Sequence, residues 1–153
     1  HSNGRTLARE AVTRESGYDD PFPGDDSGRS VGEVLLEPTR IYTDLLDPMR
    51  EHGVRGAAHV TGGGWTNLTR LGANRYVIDD AFDPQPVFEF VRSEGSVSDE
   101  EMYRTFNMGT GFVAAVEPEA AESLATATDG RVIGHVEEGE DDEGSVAIRG
   151  LEL

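Results

Sequence analysis

Short apolar segments alternate with helix-start and helix-stop signals along most of this sequence, and this order constrains the fold more than any other feature. Ser98 and Glu101 have the spacing of a capping box, ahead of a helix whose Met102 and Phe106 face inward. Pro118 stands at the first position of another helix. The other signals are an apolar helical stripe that Gly17 can end (Leu7, Ala8, Ala11 and Val12), a helix stop at Gly130, a helix over 65–71, short buried strands at 57–61 and 76–78, and further strands at 111–116, 132–136 and 146–148. The alternation predicts a mixed sheet covered by helices, with a β-hairpin near the end.

Two segments are predicted to lack regular structure. Residues 19–29 are rich in Pro, Gly and Asp, and residues 137–144 form an acidic turn between two strands. The 153 residues suffice for one domain with a real core, and no apolar run is long enough to cross a bilayer. Because there is no cysteine, neither disulfides nor thiolate chemistry is expected, which fits a cytoplasmic protein.

The charge of the chain excludes several kinds of partner. Thirty Asp and Glu residues face thirteen basic residues, all Arg, which gives a formal net charge of -17. Such a surface repels nucleic acid and anionic membranes, so neither is expected to bind. The acidic residues are spread along the whole chain and there is no Lys, a pattern typical of proteins adapted to molar salt. A merely acidic mesophilic protein is the alternative.

The first stretch that could carry chemistry is residues 1–4, directly before the first predicted helix. Gly4 would let the backbone approach a ligand closely. Ser2 or Asn3 can cap the helix, whose free N–H groups attract anions. An ordinary helix cap explains the same residues, so spacing alone leaves both readings open.

The second stretch is residues 59–64, in which a strand runs into three glycines before a predicted helix. Strand, glycine turn and helix start together form a cradle for an anion, since backbone N–H groups point outward and no side chain blocks them. The stretch is not a Walker A loop, because no Gly-Lys-Ser/Thr follows. A flexible turn beside a hydrogen-bonded His59 is the alternative.

The third stretch is residues 106–111, which join the capped helix to an apolar strand. Asn107 and its neighbouring glycines can line a cleft, or they can simply turn the chain after a helix end. Other chemistries fit poorly: the four His are scattered without metal-ligand spacing, and there is neither a GxSxG elbow nor an HExxH pair. No metal site is therefore expected.

Four stretches in order resemble the C-terminal domain of phosphoribosylformylglycinamidine cyclo-ligase, also called aminoimidazole ribonucleotide synthetase. They are HSNG (1–4), LLEPTRIY (35–42), HVTGGG (59–64) and YRTFNMGTG (103–111), and the resemblance extends to about residue 136. Formylglycinamidine ribonucleotide synthetase, selenophosphate synthetase and a hydrogenase maturation factor share the two-domain architecture. EPTRIY and FNMG, however, belong to the cyclo-ligase pattern.

The resemblance implies an α+β domain with three α/β/α layers and a mixed sheet. It also implies a separate N-terminal domain that dimerises and supplies most of the ATP and Mg²⁺ contacts, so the whole enzyme is expected to be a homodimer. That domain and the glycine that precedes the family's HSNG are not in this sequence. Residues 1–153 are therefore expected to be the C-terminal domain of a two-domain enzyme from a halophilic archaeon, inactive by itself.

The activity that the resemblance implies is ATP-dependent ring closure of formylglycinamidine ribonucleotide to aminoimidazole ribonucleotide, a carbon–nitrogen ligase reaction of purine biosynthesis. His1 and His59 would face the cleft between the domains as catalytic residues. Substrate or nucleotide contacts are expected from Ser2, Asn3, Gly4, Arg40, Thr61, Gly62, Gly63, Gly64, Asn67, Asn107 and Gly109.

The chain departs from the family pattern directly after the glycine triplet. The family has Glu-Asn-Ile-Pro-Arg, whereas this chain reads Thr-Asn-Leu-Thr-Arg at 66–70. This difference puts any role for Thr66 in doubt, while Asn67 and Arg70 match. Two other functions stay open: a non-catalytic binding or scaffold domain of the same superfamily, and a related ATP-dependent enzyme such as formylglycinamidine ribonucleotide synthetase.

Overall fold

The computed structural model describes residues 4–14, 16–24, 26–140 and 142–153. Within these ranges the α-helices are α1 (Arg5–Val12), α2 (Val31–Leu35), α3 (Leu46–Glu51), α4 (Pro86–Gly95), α5 (Asp99–Thr105) and α6 (Pro118–Ala127). The strands are β1 (Gly56–His59), β2 (Asn74–Ile78), β3 (Phe112–Ala115), β4 (Gly134–Glu138), β5 (Ser145–Ile148) and β6 (Leu151–Glu152). Two 3-10 helices cover Thr43–Leu45 and Gly64–Leu71. The predicted α+β class is confirmed.

The strands are divided between two sheets. β1 and β3 pair antiparallel, with His59 opposite Phe112. The larger sheet has the order β4-β2-β5-β6, in which β2 and β5 are parallel and the other pairs antiparallel. The predicted mixed sheet is therefore present, and β1 and β3 stand apart from it.

The predicted hairpin joins a different pair of strands. The last two predicted strands became β4 and β5, but β2 lies between them, and the hairpin is formed by β5 with β6. The connection from β4 to β5 crosses the start of β2. A Cβ at Gly139 would collide there with the carbonyl oxygen of Ala73, and Gly144, at φ +74°, lies in tight contact with the backbone of Asn74. Such a close crossing needs glycine. Local sequence cannot show that another strand will be inserted there.

Several boundaries differ from the prediction by one to a few residues. β1 ends at His59, so Thr61 lies in the following loop, and only Ala58 of the strand is buried. The prediction of a buried strand at 57–61 was therefore wrong for most of β1, because a two-stranded sheet leaves one face of β1 open. α1 ends at Val12 rather than near Gly17, and α6 ends at Ala127.

The predicted helix starts agree well with the structure. Ser98 Oγ accepts a hydrogen bond from the amide of Glu101 at 3.2 Å, although the carboxylate of Glu101 accepts from Thr105 instead of returning to the cap. Pro118 is the first residue of α6. The predicted helix at 65–71 is a 3-10 helix, and Met102 and Phe106 are buried as expected.

The core has one main cluster and one small one. The main cluster lies between the larger sheet, the 3-10 helix Gly64–Leu71 and α5, and its most buried side chains include Trp65, Leu68, Met102, Val146 and Ile148. Val12, Phe22 and Val31 form the small cluster. Residues 19–29 form neither helix nor strand where the structure describes them, as predicted, but Phe22 anchors them against Phe90.

Candidate functional site

The end of α5 is the point where the three glycine-containing stretches meet. Gly4 lies against the ring of Phe106, and Gly64 lies against the carbonyl oxygen of Tyr103, so that a Cβ at either glycine would collide. Phe106 itself begins the third stretch. Predicted site residues from distant parts of the sequence are thus brought to one end of one helix. His1, Ser2 and Asn3 lie outside the described residues.

The glycine loop is closed by short backbone hydrogen bonds. The amide of Thr61 donates to the carbonyl of His59 at 2.9 Å, and the amide of Gly64 donates to the carbonyl of Thr61 at 2.7 Å. Thr66 Oγ1 donates to the carbonyl of Gly63 at 2.6 Å. These bonds turn the chain from β1 into the 3-10 helix within a few residues.

The three glycines have different surroundings. Around Gly62 there is open space: apart from its chain neighbours, no atom of the described residues lies within 4 Å of where a Cβ would lie. Gly63 has φ +95°, a left-handed conformation that other residues adopt only with strain. Gly64 is buried, and it can pack closely against α5 only because it has no side chain. The outer face of the loop is therefore formed by Gly62 and Gly63.

Two adjacent amides are available on this outer face. Within residues 4–14, 16–24, 26–140 and 142–153, the N–H groups of Gly62 and Gly63 donate no hydrogen bond. Adjacent amides without side chains in front of them form a concave site for an anion such as a phosphate oxygen. Anion binding by residues 59–64 stays a prediction, and these two amides are the groups that would carry it.

Asn67 lies beneath the loop rather than in front of it. Its side chain is buried, with 4% exposed, and Nδ2 donates to the carbonyls of Gly62 and Gly64 at 3.0 Å each and of Thr61 at 3.4 Å. Both amide hydrogens are therefore used within the protein. The expected ligand contact through Asn67 Nδ2 is not what this geometry favours.

His59 stands at the exposed end of β1, beside the loop. Its ring contacts Tyr42 edge-on, with centroids 5.3 Å apart, and lies 6.4 Å from the ring of Phe112. In the part of the chain that the structure describes, neither ring nitrogen makes a hydrogen bond. The imidazole is thus oriented by aromatic contacts and keeps its nitrogens available for proton transfer or binding.

Tyr42 and Phe112 are site residues that sequence reasoning did not select. Their ring centroids are 5.3 Å apart, and the Tyr42 hydroxyl lies against Gly111. Burial raises the pKa of Tyr42, so its hydroxyl stays protonated at neutral pH. The signal available in the sequence was the position of Tyr42 at the end of the EPTRIY stretch.

Arg40 is placed over the ring of Tyr42, with its guanidinium carbon 5.4 Å from the ring centroid. It also pairs with Asp44 at 2.8 Å, and both side chains are more than half exposed. An exposed pair of this kind is weak and exchanges easily, so Arg40 can turn to an anionic ligand.

Asn107 and Gly109 build the turn after α5. Asn107 is 3% exposed, and its Oδ1 accepts from the amide of Gly109 at 3.1 Å. Gly109 has φ +96° and packs against the carbonyl of Asp83. Both residues have a structural reason for their identity that is independent of a ligand.

A cavity of about 870 Å³ lies among β3, α6, β2 and β4. Its lining is largely apolar and includes Arg40, Tyr42, Gly109 and Thr110. His59 and the glycine triplet do not line it. The structure thus brings Gly4, His59, the glycine loop and Asn107 together around β1 and α5. Arg40 and Gly109, in contrast, line the cavity.

The described residues contain no group of three or more His, Asp or Glu side chains placed to hold a metal ion. They also contain no helix that is long and apolar enough to cross a membrane.

Comparisons with known proteins agree with the resemblance. The chain is 50% identical over 145 residues to a phosphoribosylformylglycinamidine cyclo-ligase of Methanopyrus kandleri, an alignment that covers 91% of this chain and 41% of that protein. The enzyme of the same name from Methanosarcina mazei is 46% identical over 140 residues, covering 90% and 41%. That from Methanococcoides burtonii is 39% identical over 155 residues, covering 100% and 44%.

The chain spans about two fifths of the length of these relatives. It also matches the family described as AIR synthase related protein, C-terminal domain, over residues 1–147. We conclude that the chain belongs to this family of AIR synthase related C-terminal domains.

Proposed function

We propose that this chain is the C-terminal domain of a phosphoribosylformylglycinamidine cyclo-ligase that converts formylglycinamidine ribonucleotide to aminoimidazole ribonucleotide in purine biosynthesis. The observation that carries the proposal is the convergence of the glycine stretches at the end of α5, with the free amides of Gly62 and Gly63 beside His59. The similarity to enzymes of that name supports it.

The reaction closes an imidazole ring. ATP supplies a phosphoryl group to the amide oxygen, the amine of the same substrate attacks that carbon, and phosphate leaves with the oxygen. A protein catalyses such a step mainly by positioning the reactants and stabilising phosphoryl charge. In this chain, the amides of Gly62 and Gly63 fit a phosphate group of the substrate or of the nucleotide.

His59 is the proposed proton-transfer or substrate-binding residue on this wall of the cleft. It is exposed, its ring is held by Tyr42, and histidine exchanges protons near neutral pH. His1 is proposed for the same cleft by resemblance. Arg40 is proposed to bind substrate charge, because its weak pair with Asp44 leaves it free to turn.

ATP and Mg²⁺ are proposed to be held mainly by a second domain of the whole protein. We further propose that the whole protein is a cytoplasmic homodimer and that it comes from a halophilic organism.

The test is an assay of ATP-dependent ring closure in about 2 M KCl, where surface repulsion is screened. The full-length protein is expected to turn over, and residues 1–153 by themselves are not, because a single wall cannot orient two reactants. Robust turnover by the isolated domain would contradict the two-domain proposal. A well-folded full-length protein without turnover favours the scaffold alternative.

A matched pair of variants tests His59. His59→Gln in the full-length protein is expected to lower kcat about a hundredfold, the usual contribution of one proton-transfer group. His135→Gln is the control, since His135 is also an exposed strand histidine, but it lies on β4 and pairs with Glu137 of the same strand and with Asp79, which follows β2. Equal kcat values in the two variants would remove His59 from the mechanism.

A further inference from the structure

We infer that Asn67 is a positioning residue that aims the amides of Gly62 and Gly63 outward, toward the phosphate of a bound ligand. The inference rests on the proposed function, since it assigns the glycine loop as that ligand's phosphate site. It gives Asn67 a role different from direct contact with substrate or nucleotide.

The argument begins with the geometry of the peptide unit. In a trans peptide the C=O of one residue and the N–H of the next point in opposite directions. The carbonyls of Thr61 and Gly62 point toward Asn67 Nδ2, at 3.4 Å and 3.0 Å. The N–H groups of Gly62 and Gly63, which belong to these same two peptide units, therefore point away from Asn67.

The two amides that Asn67 aims outward donate no hydrogen bond to any other described residue. Within the described residues, neither the Gly62 nor the Gly63 amide donates a hydrogen bond, whereas the next amide, that of Gly64, donates to Thr61. Thus the Asn67 side chain satisfies the inward carbonyls of the peptide units whose N–H groups remain free. This is the arrangement that an anion requires.

Asn67 is the main support of the Gly62–Gly63 peptide plane. Among the described residues the Gly62 carbonyl accepts a hydrogen bond only from Asn67 Nδ2, at 3.0 Å, and glycine has the widest backbone freedom of any residue. The Thr61–Gly62 plane has a second support, because the Thr61 carbonyl also accepts the Gly64 amide at 2.7 Å. Thr66 Oγ1 holds the carbonyl of Gly63, in the next peptide unit. Without Asn67, the plane that carries the Gly63 amide is expected to rotate.

Asn67 is itself well placed to act as a rigid support. It is 4% exposed and belongs to the same 3-10 helix as Trp65 and Leu68, each of which is 0% exposed. A third bond, to the carbonyl of Gly64 at 3.0 Å, places Nδ2 between the two sides of the loop. A side chain so enclosed orients a site in advance of binding, which reduces the cost of ordering the loop on the ligand.

The test compares Asn67→Ala with Thr69→Ala in the full-length protein. Thr69 lies in the same 3-10 helix and donates its hydroxyl to the carbonyl of Thr66, so its loss perturbs the helix without touching the loop. Asn67→Ala is expected to raise the KM for the phosphate-bearing ligand about tenfold, as for a lost charge-assisted hydrogen bond, with a much smaller change in kcat. Thr69→Ala is expected to leave KM near that of the wild type.

Inorganic phosphate provides a readout that needs no turnover. Phosphate is expected to raise the melting temperature of the wild-type protein and of Thr69→Ala, and to raise it much less in Asn67→Ala. Because Asn67 is buried, Asn67→Ser is a second variant: its hydroxyl can still donate to one carbonyl, so an intermediate effect is expected. If a folded Asn67 variant keeps the wild-type phosphate shift, or if the wild type shows no shift, the inference is overturned.

The two proposals can fail separately. A full-length protein without ring-closing activity, but with a phosphate shift that depends on Asn67, would overturn the proposed function and support the role of Asn67. An active enzyme whose KM and phosphate shift are the same in Asn67→Ala and Thr69→Ala would overturn the role of Asn67 and leave the function intact.

Discussion

Gly4 lies directly against the ring of Phe106, so closely that a Cβ on Gly4 would overlap the ring. Gly4 has φ +68° and precedes α1, whereas Phe106 directly follows α5 and stands next to Asn107. This contact joins the first and the third of the stretches that sequence reasoning selected. Gly64, from the second stretch, packs equally closely against the carbonyl oxygen of Tyr103 in α5. The end of α5 therefore organises the candidate site.

Gly64→Ala is expected to destabilise the domain more than Gly53→Ala does. Both glycines have positive φ, +53° and +65°, but a Cβ at Gly64 would collide with the backbone of Tyr103 and Arg104, whereas Gly53 has open space around it. Overpacking should add about 1–3 kcal/mol beyond the backbone strain that the two variants share. Urea unfolding of this chain can be followed by the fluorescence of Trp65, its one tryptophan, which is fully buried. Equal costs would mean that Gly64 does not pack tightly against α5.

Gly62→Val is expected to impair binding without impairing the fold. Its side chain would enter open space on the outer face of the loop, so the free energy of unfolding should change by less than about 0.5 kcal/mol. Gly63→Val should block the same face but also cost about 1–2 kcal/mol, because a β-branched residue is strained at φ +95°. Thermal melts and the phosphate-induced shift, measured on the full-length variants, separate the two effects. A normal phosphate shift in Gly62→Val would show that ligands do not approach over Gly62.

The fold is expected to depend on salt. At a formal net charge of -17 the surface repels itself, and raising KCl from about 0.1 M to about 2 M shortens the reach of that repulsion severalfold. The melting temperature from circular dichroism should therefore rise over this range. Neutralising the exposed Glu138, Glu140 and Asp142 should reduce the rise. Equal melting temperatures at the two salt concentrations would contradict adaptation to molar salt.

Glu152 is expected to stabilise the larger sheet at neutral pH but not in strong acid. Arg75 on β2 donates two hydrogen bonds to the Glu152 carboxylate, at 2.9 Å and 2.6 Å, and these hold the pKa of Glu152 below its usual value. A lowered folded-state pKa gives stability that is complete above the unfolded-state pKa, about 4.3, and is lost as the pH falls through the folded-state pKa. Glu152→Gln should thus lower stability at pH 7, and the wild-type and variant curves should converge in acid.

Urea unfolding of both proteins across this pH range measures the effect, with the exposed Glu51→Gln as control. A constant difference between wild type and Glu152→Gln at all pH values would assign the effect to packing rather than to the ion pair. The absence of any difference at pH 7 would show that solvent screens this exposed pair completely.

The sequence by itself determined the features that depend on contacts between near neighbours. Ser98 and Pro118 start their helices because a cap or a fixed φ acts within one turn. The glycine triplet predicted a turn open to an anion, because the freedom of glycine is a property of the residue itself. The four ordered motifs also predicted the family correctly, since the chain matches it over residues 1–147.

Only the tertiary structure decided which distant residues meet. The insertion of β2 between β4 and β5 depends on how Gly139 and Gly144 cross the backbone of Asn74, which no local pattern encodes. The role of Asn67 depends likewise on the direction of three carbonyls, and its letter in the sequence is the same whether it contacts a ligand or supports a loop. Hydrogen bonds act only over short distances and in particular directions. The residue type therefore limits which contacts a side chain can make, and the fold determines which partner lies within reach.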